Sequence, residues 1–196
     1  MSMPGPEEAK RRPIEIPGYA IVSDDNKIAG ADGLLPPSLR NDKDWDYYQR
    51  ALAASDLIVF GRRSHELEPN ERGDQRLVIS SSAAGLEQRA DGWWWNPEDV
   101  SWPEVAKRVL LGGAVAVPGG QAVFDLFLQI GFDAFRLSRA HGVRLPGGRS
   151  VFSACDAGLS AEDVLAKAGM RPSEKIPLDP EHGVDMVVWR RPLEAS

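Results

Sequence analysis

Apolar positions along this chain fall into two kinds of run. Short blocks at 19–22, 57–60, 77–79 and 114–117, and the stretch AFRLSRA at 134–140, have the length and the turn-rich borders of buried strands. Between them the spacing becomes helical. Trp45, Tyr48 and Leu52 recur at intervals of three and four in DKDWDYYQRALAAS, and Val123, Phe124, Phe127 and Leu128 do so after Pro118-Gly119-Gly120. Residues 103–110 and SAEDVLAKAG at 160–169, with its serine cap and terminal glycine, read as further helices. Lys27 to Gly30 and ADGLLPPSLRND read as loop, PGGRSVF as a turn, and VDMVVWRR as a C-terminal strand. Strands alternating with helices predict an α/β fold with a mostly parallel central sheet flanked by helices. The last strand follows another strand region and is expected to be an antiparallel edge.

Length and composition narrow this picture. With 196 residues, one domain with a full core is expected, taken as 17–196 after a disordered lead over 1–16. The net charge of −6 argues against a general nucleic-acid binder. No apolar run has the length of a membrane span, and MSMPGPEEAKRRP lacks the apolar centre of a secretory signal. The single cysteine, Cys155, fits a reducing compartment, so a cytoplasmic protein is expected. Three histidines and one cysteine show no metal-ligand spacing, and no metal is expected.

Candidate chemistry gathers at the strand ends, where open parallel sheets bind ligands. Arg62, Arg63 and Ser64 follow Gly61; Ser80, Ser81 and Ser82 follow the third strand; Gly119 and Gly120 follow the fourth; Ser138 and Arg139 end the fifth. Small, hydroxylated and basic groups at successive ends suit a phosphate-bearing ligand, although glycine and serine also simply terminate strands. Two glycines between strand and helix let another group approach the main chain at a helix N-terminus. Asp42, Asp44 and Asp46 open the first helix, where acids commonly act as caps. The functional alternative is a carboxyl facing a cleft with its pKa raised. The Trp93-Trp94-Trp95 run reads as a packed edge or an oligomer contact, which leaves a homodimer open. His65 reads as a helix-surface histidine.

Taken in order, four of these segments resemble dihydrofolate reductase and its relative, the reductase domain of the bifunctional riboflavin-biosynthesis deaminase–reductase. AIVSDDNKIAGADGLLP resembles the family's first strand and substrate loop, and DLIVFGRRSHE its phosphate-binding turn. RLVISSS resembles the strand flanking the adenosine phosphate, and VPGGQAVFDLFL the Gly-Gly turn under the diphosphate. The resemblance implies NADPH as cofactor, held by Ala20, Ile28, Ala29, Arg62, Arg63, Ser64, Ser80, Ser81, Gly119, Gly120, Gln121, Phe124 and Ser150. It implies Leu35, Tyr48 and Ser138 on the substrate side. The family's carboxylate lies at the start of the first helix. Counting from Pro36 favours Asp42, and counting back from the second strand favours Asp44. Residues four apart share a helix face, and Asp44 has the aromatic Tyr48 there, so Asp44 is taken first and Asp42 second.

Two departures bear on the substrate. Pro37 stands where the family has a tryptophan after the loop proline, and Asp74 stands where the folate enzymes carry a carboxylate-binding arginine, with Arg72 and Arg76 nearby. Three functions follow from the resemblance: reduction of a pterin C=N bond, reduction of a ribosylaminopyrimidine phosphate, or nucleotide binding without catalysis.

Overall fold

In the computed structural model, which describes residues 12–192, the apolar blocks become the inner strands of the sheet. Strands β1 (Ile14–Glu15), β2 (Pro17–Val22) and β3 (Lys27–Ala29) precede α1 (Asp42–Ala53), β4 (Leu57–Gly61) and α2 (Arg62–Leu67). Next come β5 (Arg76–Ile79), β6 (Leu86–Arg89), β7 (Gly92–Trp95), α3 (Trp102–Val109), β8 (Gly113–Ala116), α4 (Gln121–Ile130) and β9 (Ala134–Ala140). The chain continues through β10 (Arg149–Ser150), α5 (Ser153–Asp156), α6 (Ala161–Lys167), β11 (Arg171–Pro172), β12 (Ile176–Asp179) and β13 (Val184–Arg190).

One half of the sheet runs in the order β1-β8-β4-β5-β7-β6, and the other in the order β11-β13-β9-β2. Tyr19 N donates to Val117 O at 3.1 Å and Val117 N to Pro17 O at 2.9 Å, which joins β2 to the end of β8. The β4–β5, β4–β8, β5–β7 and β2–β9 pairs are parallel. β13 runs antiparallel to β9 over seven residues, but it is not an edge, because β11 and β12 pair along its other side. β4 is buried from Leu57 to Phe60, as a strand covered on both faces must be.

Beside the sheet, Phe124, Phe127, Phe132, Phe135 and Phe152 are fully buried, and their rings meet edge-on or tilted at 5.1–6.1 Å. Each such side chain contributes about 1.5–3 kcal/mol by leaving water. This cluster anchors α4 and so fixes where the Gly119-Gly120 turn sits.

Several expectations change. Residues 1–11 of the expected lead lie outside the described residues, but Ile14 and Glu15 pair in parallel with Gly113 and Ala114. Lys27 to Ala29 is a strand rather than a loop, since Arg149 and Ser150 come round to pair with it. The tryptophan run is strand β7, with β6 outside it as the edge; Trp94 and Trp95 are buried, and Trp95 Nε1 donates to Val100 O at 2.7 Å. His65 is buried rather than on the helix surface. Its Nε2 lies 2.9 Å from Asp91 Oδ2, and its ring stands edge-on to Trp94. The cap of α1 is Asn41, whose Oδ1 accepts from Lys43 N and Asp44 N at 3.1 Å each, so neither Asp42 nor Asp44 is needed for that purpose.

Candidate active site

The carboxyl ends of β2, β4 and β8, the start of α1 and the loop before it enclose a cleft of about 650 Å³. Parallel strands ending side by side leave such a crevice, because their connections turn away to opposite faces. β4 delivers Gly61, Arg62, Arg63 and Ser64 to one wall, and β8 delivers Pro118, Gly119, Gly120 and Gln121 to the next. Ala20 from β2, with Ile28 and Ala29 from β3, lines a third side, and Phe124 completes the apolar lining. Leu35, Asp44, Tyr48 and Ser138 line the remainder.

The two glycines differ in kind. Gly119 has φ +104°, and a Cβ there would lie 2.3 Å from Phe124 Cζ, so the turn needs glycine for its own backbone and for the ring packed on it. A Cβ on Gly120 would meet nothing within 4 Å, so that position borders free space at the first turn of α4. Gly119 and Gly120 are joined by a trans peptide.

Asp44 is placed by the Asn41 cap, which sets the first turn of α1 and is itself held through Asn41 Nδ2 donating to Asp179 Oδ2 at 2.9 Å. Burial raises the Asp44 pKa above the usual carboxylate range, while a hydrogen bond from Ser138 works the other way. Tyr48, one turn on, packs against Trp45 at 5.4 Å and Tyr19 at 6.5 Å between ring centres. Burial pushes the Tyr48 hydroxyl strongly upward, the nearby Glu68 carboxylate adding to it, so Tyr48 stays neutral. Glu68 also lines the cleft. Solvent reaches the residue, yet the surrounding walls desolvate its carboxyl and raise its pKa, with Arg76 opposing.

Four expected residues lie apart from the cleft lining. Asp42 is exposed on the outer side of α1, two residues from Asp44 and so turned about 200° away from it. Ser80 is buried and bonded to Ser82 Oγ at 2.7 Å, and Ser81 is exposed in the turn beyond β5. Ser150 is fully buried; its Oγ donates to Asp156 Oδ1 at 2.6 Å and accepts from Lys27 Nζ at 2.7 Å. Gln121 reaches the cleft edge, but its amide donates to Asp156 Oδ2 at 2.9 Å. Among the described residues, no group of three or more His, Cys, Asp or Glu side chains could hold a metal ion.

Sequence reasoning missed Trp45, Glu68, Arg136 and Arg149, which also line the cleft. Arg136 donates through Nε to Tyr47 Oη at 2.7 Å and lies over the Tyr19 ring at 5.2 Å, and its Nη1 is buried without a partner. The alternation along β9 assigns Arg136 and Ser138 to one face, a signal available in the sequence; Arg149, in a two-residue strand, gave none. The second folate departure also resolves. Arg72 Nε donates to Asp74 Oδ2 at 3.1 Å, Arg76 is buried with Nη1 donating to Glu68 O at 2.6 Å, and none of these three side chains lines the cleft.

The chain's sequence matches no protein-family model and no curated protein. Its fold, by contrast, matches solved structures. Dihydrofolate reductase from Enterococcus faecalis, complexed with NADP(H) and RAB-propyl, matches at TM-score 0.64 and 14% identity, over 90% of this chain and 96% of that one. A pyrimidine reductase-like protein from Corynebacterium diphtheriae matches at 0.64 and 14%, over 92% of each chain. The diaminohydroxyphosphoribosylaminopyrimidine deaminase/5-amino-6-(5-phosphoribosylamino)uracil reductase of Thermotoga maritima matches at 0.65 and 17%, over 93% of this chain and 58% of that one.

Proposed function

We propose that this chain, which has the dihydrofolate reductase-like fold, is an NADPH-dependent reductase of a C=N bond in a small pterin or pyrimidine. The observation that carries the reading is the cleft itself. Its lining brings a basic, glycine-bordered set (Arg62, Arg63, Gly119, Gly120) together with an aromatic set (Tyr19, Trp45, Tyr48) and the desolvated carboxyl of Asp44. The residues fit a dinucleotide. Gly120 leaves open space at the start of α4, where unpaired N–H groups suit a diphosphate, and Ala20, Ile28, Ala29 and Phe124 give the nicotinamide an apolar bed. Ser64 and Gln121 stand at the edges of the phosphate end, with Arg62 and Arg63 suited to the 2′-phosphate of NADPH.

When bound, the cofactor supplies a hydride. The chain's part is to orient the heterocycle and manage a proton. Leu35 and Tyr48 flank the substrate end. Asp44 hydrogen-bonds the ring and, with its raised pKa, holds a proton near the ring nitrogen at higher pH than an exposed aspartate would. Ser138 steadies the Asp44 carboxyl.

Between the two substrate classes, one without a glutamate tail is favoured. Arg72 and Arg76 are bound to Asp74 and to backbone carbonyls, and the acid Glu68 lines the cleft instead. Neither arginine is therefore placed to hold a glutamate carboxylate in the cleft. The test is NADPH oxidation followed with dihydropterin, dihydrofolate and the ribosylaminopyrimidine phosphate. Turnover with dihydropterin or the pyrimidine and little with dihydrofolate is expected. NADPH binding without oxidation of any of the three would replace the reading with a non-catalytic nucleotide-binding protein.

A further inference from the structure

The loop from Gly30 to Leu35 is a tight turn. Gly33 N donates to Gly30 O and Gly30 N to Leu34 O, each at 2.9 Å, and Asp32 Oδ1 accepts from Leu34 N at 2.9 Å. Gly33 has φ +78°, and a Cβ there would lie 3.0 Å from Arg149 Nε and 3.1 Å from Arg63 Cζ. Two arginines from distant elements, one on α2 and one on β10, therefore converge over the same glycine. Arg63 Nη2 donates to Asp32 O, and among the described residues neither guanidinium is paired with a carboxylate. Arg62, by contrast, lies 3.6 Å from Glu66. The two charges lie no more than about 6 Å apart, the sum of those two distances, and an anion between them would offset their repulsion. Both side chains line the cleft.

We infer that Arg63 and Arg149 form a phosphate clamp across Gly33, with Arg149 as a binding residue and the 30–35 turn as the element the clamp closes on. Paired planar forks match phosphate oxygens, and the φ +78° of Gly33, with no side chain between them, leaves both arginines room to approach. Because Arg63 also holds the Asp32 carbonyl, filling the clamp fixes the turn that carries Leu34 and Leu35 to the substrate end. The clamp rests on the proposed function only for the source of the phosphate, which is the cofactor or a phosphorylated substrate.

The test compares wild type, Arg149→Gln and Arg149→Lys, with folding checked by circular dichroism. Arg149 is exposed, so both variants should fold. Tryptophan fluorescence titrations use NADPH, NADH and inorganic pyrophosphate, and KM is measured for the pyrimidine substrate with and without its phosphate. Arg149→Gln is expected to weaken the phosphate-bearing ligand roughly tenfold or more, and Arg149→Lys less. Weakening of both cofactors assigns the diphosphate, weakening of NADPH alone the 2′-phosphate, and a raised KM for the phosphorylated substrate alone the substrate. No change in any of these measurements for a folded Arg149→Gln overturns the clamp, and wild-type NADPH binding then leaves the reductase reading standing. Wild type that binds pyrophosphate through Arg149 but neither cofactor keeps the clamp and overturns the NADPH reading. Binding of none of the ligands overturns both.

Discussion

At the scale of single residues, Asp44 carries the sharpest expectation. Its carboxyl is held above its ordinary pKa by burial, so ionising it in the folded protein costs more than in the unfolded chain. A folded pKa raised in this way gives a contribution that is fully present below the unfolded carboxylate pKa and lost as pH rises through the folded value. Asp44→Asn should therefore be as stable as wild type or more so at neutral pH, and the gain should vanish as pH falls toward about 4, where the unfolded carboxyl also protonates. Turnover should fall by roughly 10²–10⁴-fold in the same variant, with NADPH affinity kept. Thermal melts across pH and single-turnover assays check both halves. Asp42, exposed and outside the cleft lining, should tolerate asparagine in both measurements.

Elements set the terms for the glycine turn between β8 and α4. Gly120→Val adds a side chain where nothing lies within 4 Å, so the fold should persist while cofactor affinity is lost. Gly119→Val meets the Phe124 ring and forces a β-branched residue to φ +104°, so it should destabilise the protein itself, by about 1–3 kcal/mol or more. Urea denaturation beside NADPH titration separates the two. Equal loss of stability in both variants would mean that the turn is purely structural.

Over the whole molecule, the cleft draws on β2 and β3, α1, β4 and α2, β5, the β8–α4 turn and α4, β9 and β10, and β13, with lining residues spread from Tyr19 to Met186. A ligand held by all of them resists global unfolding rather than local fraying. NADPH at a hundredfold excess over Kd should add about 2.7 kcal/mol. For a domain of this size that raises the thermal midpoint by roughly 5–10 °C. NADH should give a smaller rise at the same concentration. Equal rises for the two would remove the basis for a 2′-phosphate site at Arg62 and Arg63.

Much of the inner architecture was legible from the sequence, for a physical reason. A strand buried on both faces must be apolar throughout, and a helix packed on one face must repeat at three and four, so 57–60 and the Val123–Phe127 stripe declare themselves without any partner. The glycine pair between strand and helix is equally visible in the sequence, whereas the choice of Asp44 over Asp42 rests on the family resemblance; it lines the cleft one turn before Tyr48. Short strands such as LEQR at β6 and RS at β10 have no pattern of their own and exist because a neighbouring strand offers hydrogen bonds. Where side chains go was likewise a tertiary matter. Asn41 rather than an aspartate caps α1, His65 is drawn inward by Asp91 and Trp94, and Ser150 is taken by Lys27 and Asp156. Local sequence fixes which residues must leave water. Only the folded chain decides which polar groups far apart in sequence then meet, as Arg63 and Arg149 do over Gly33, because such meetings depend on strand order and register rather than on spacing.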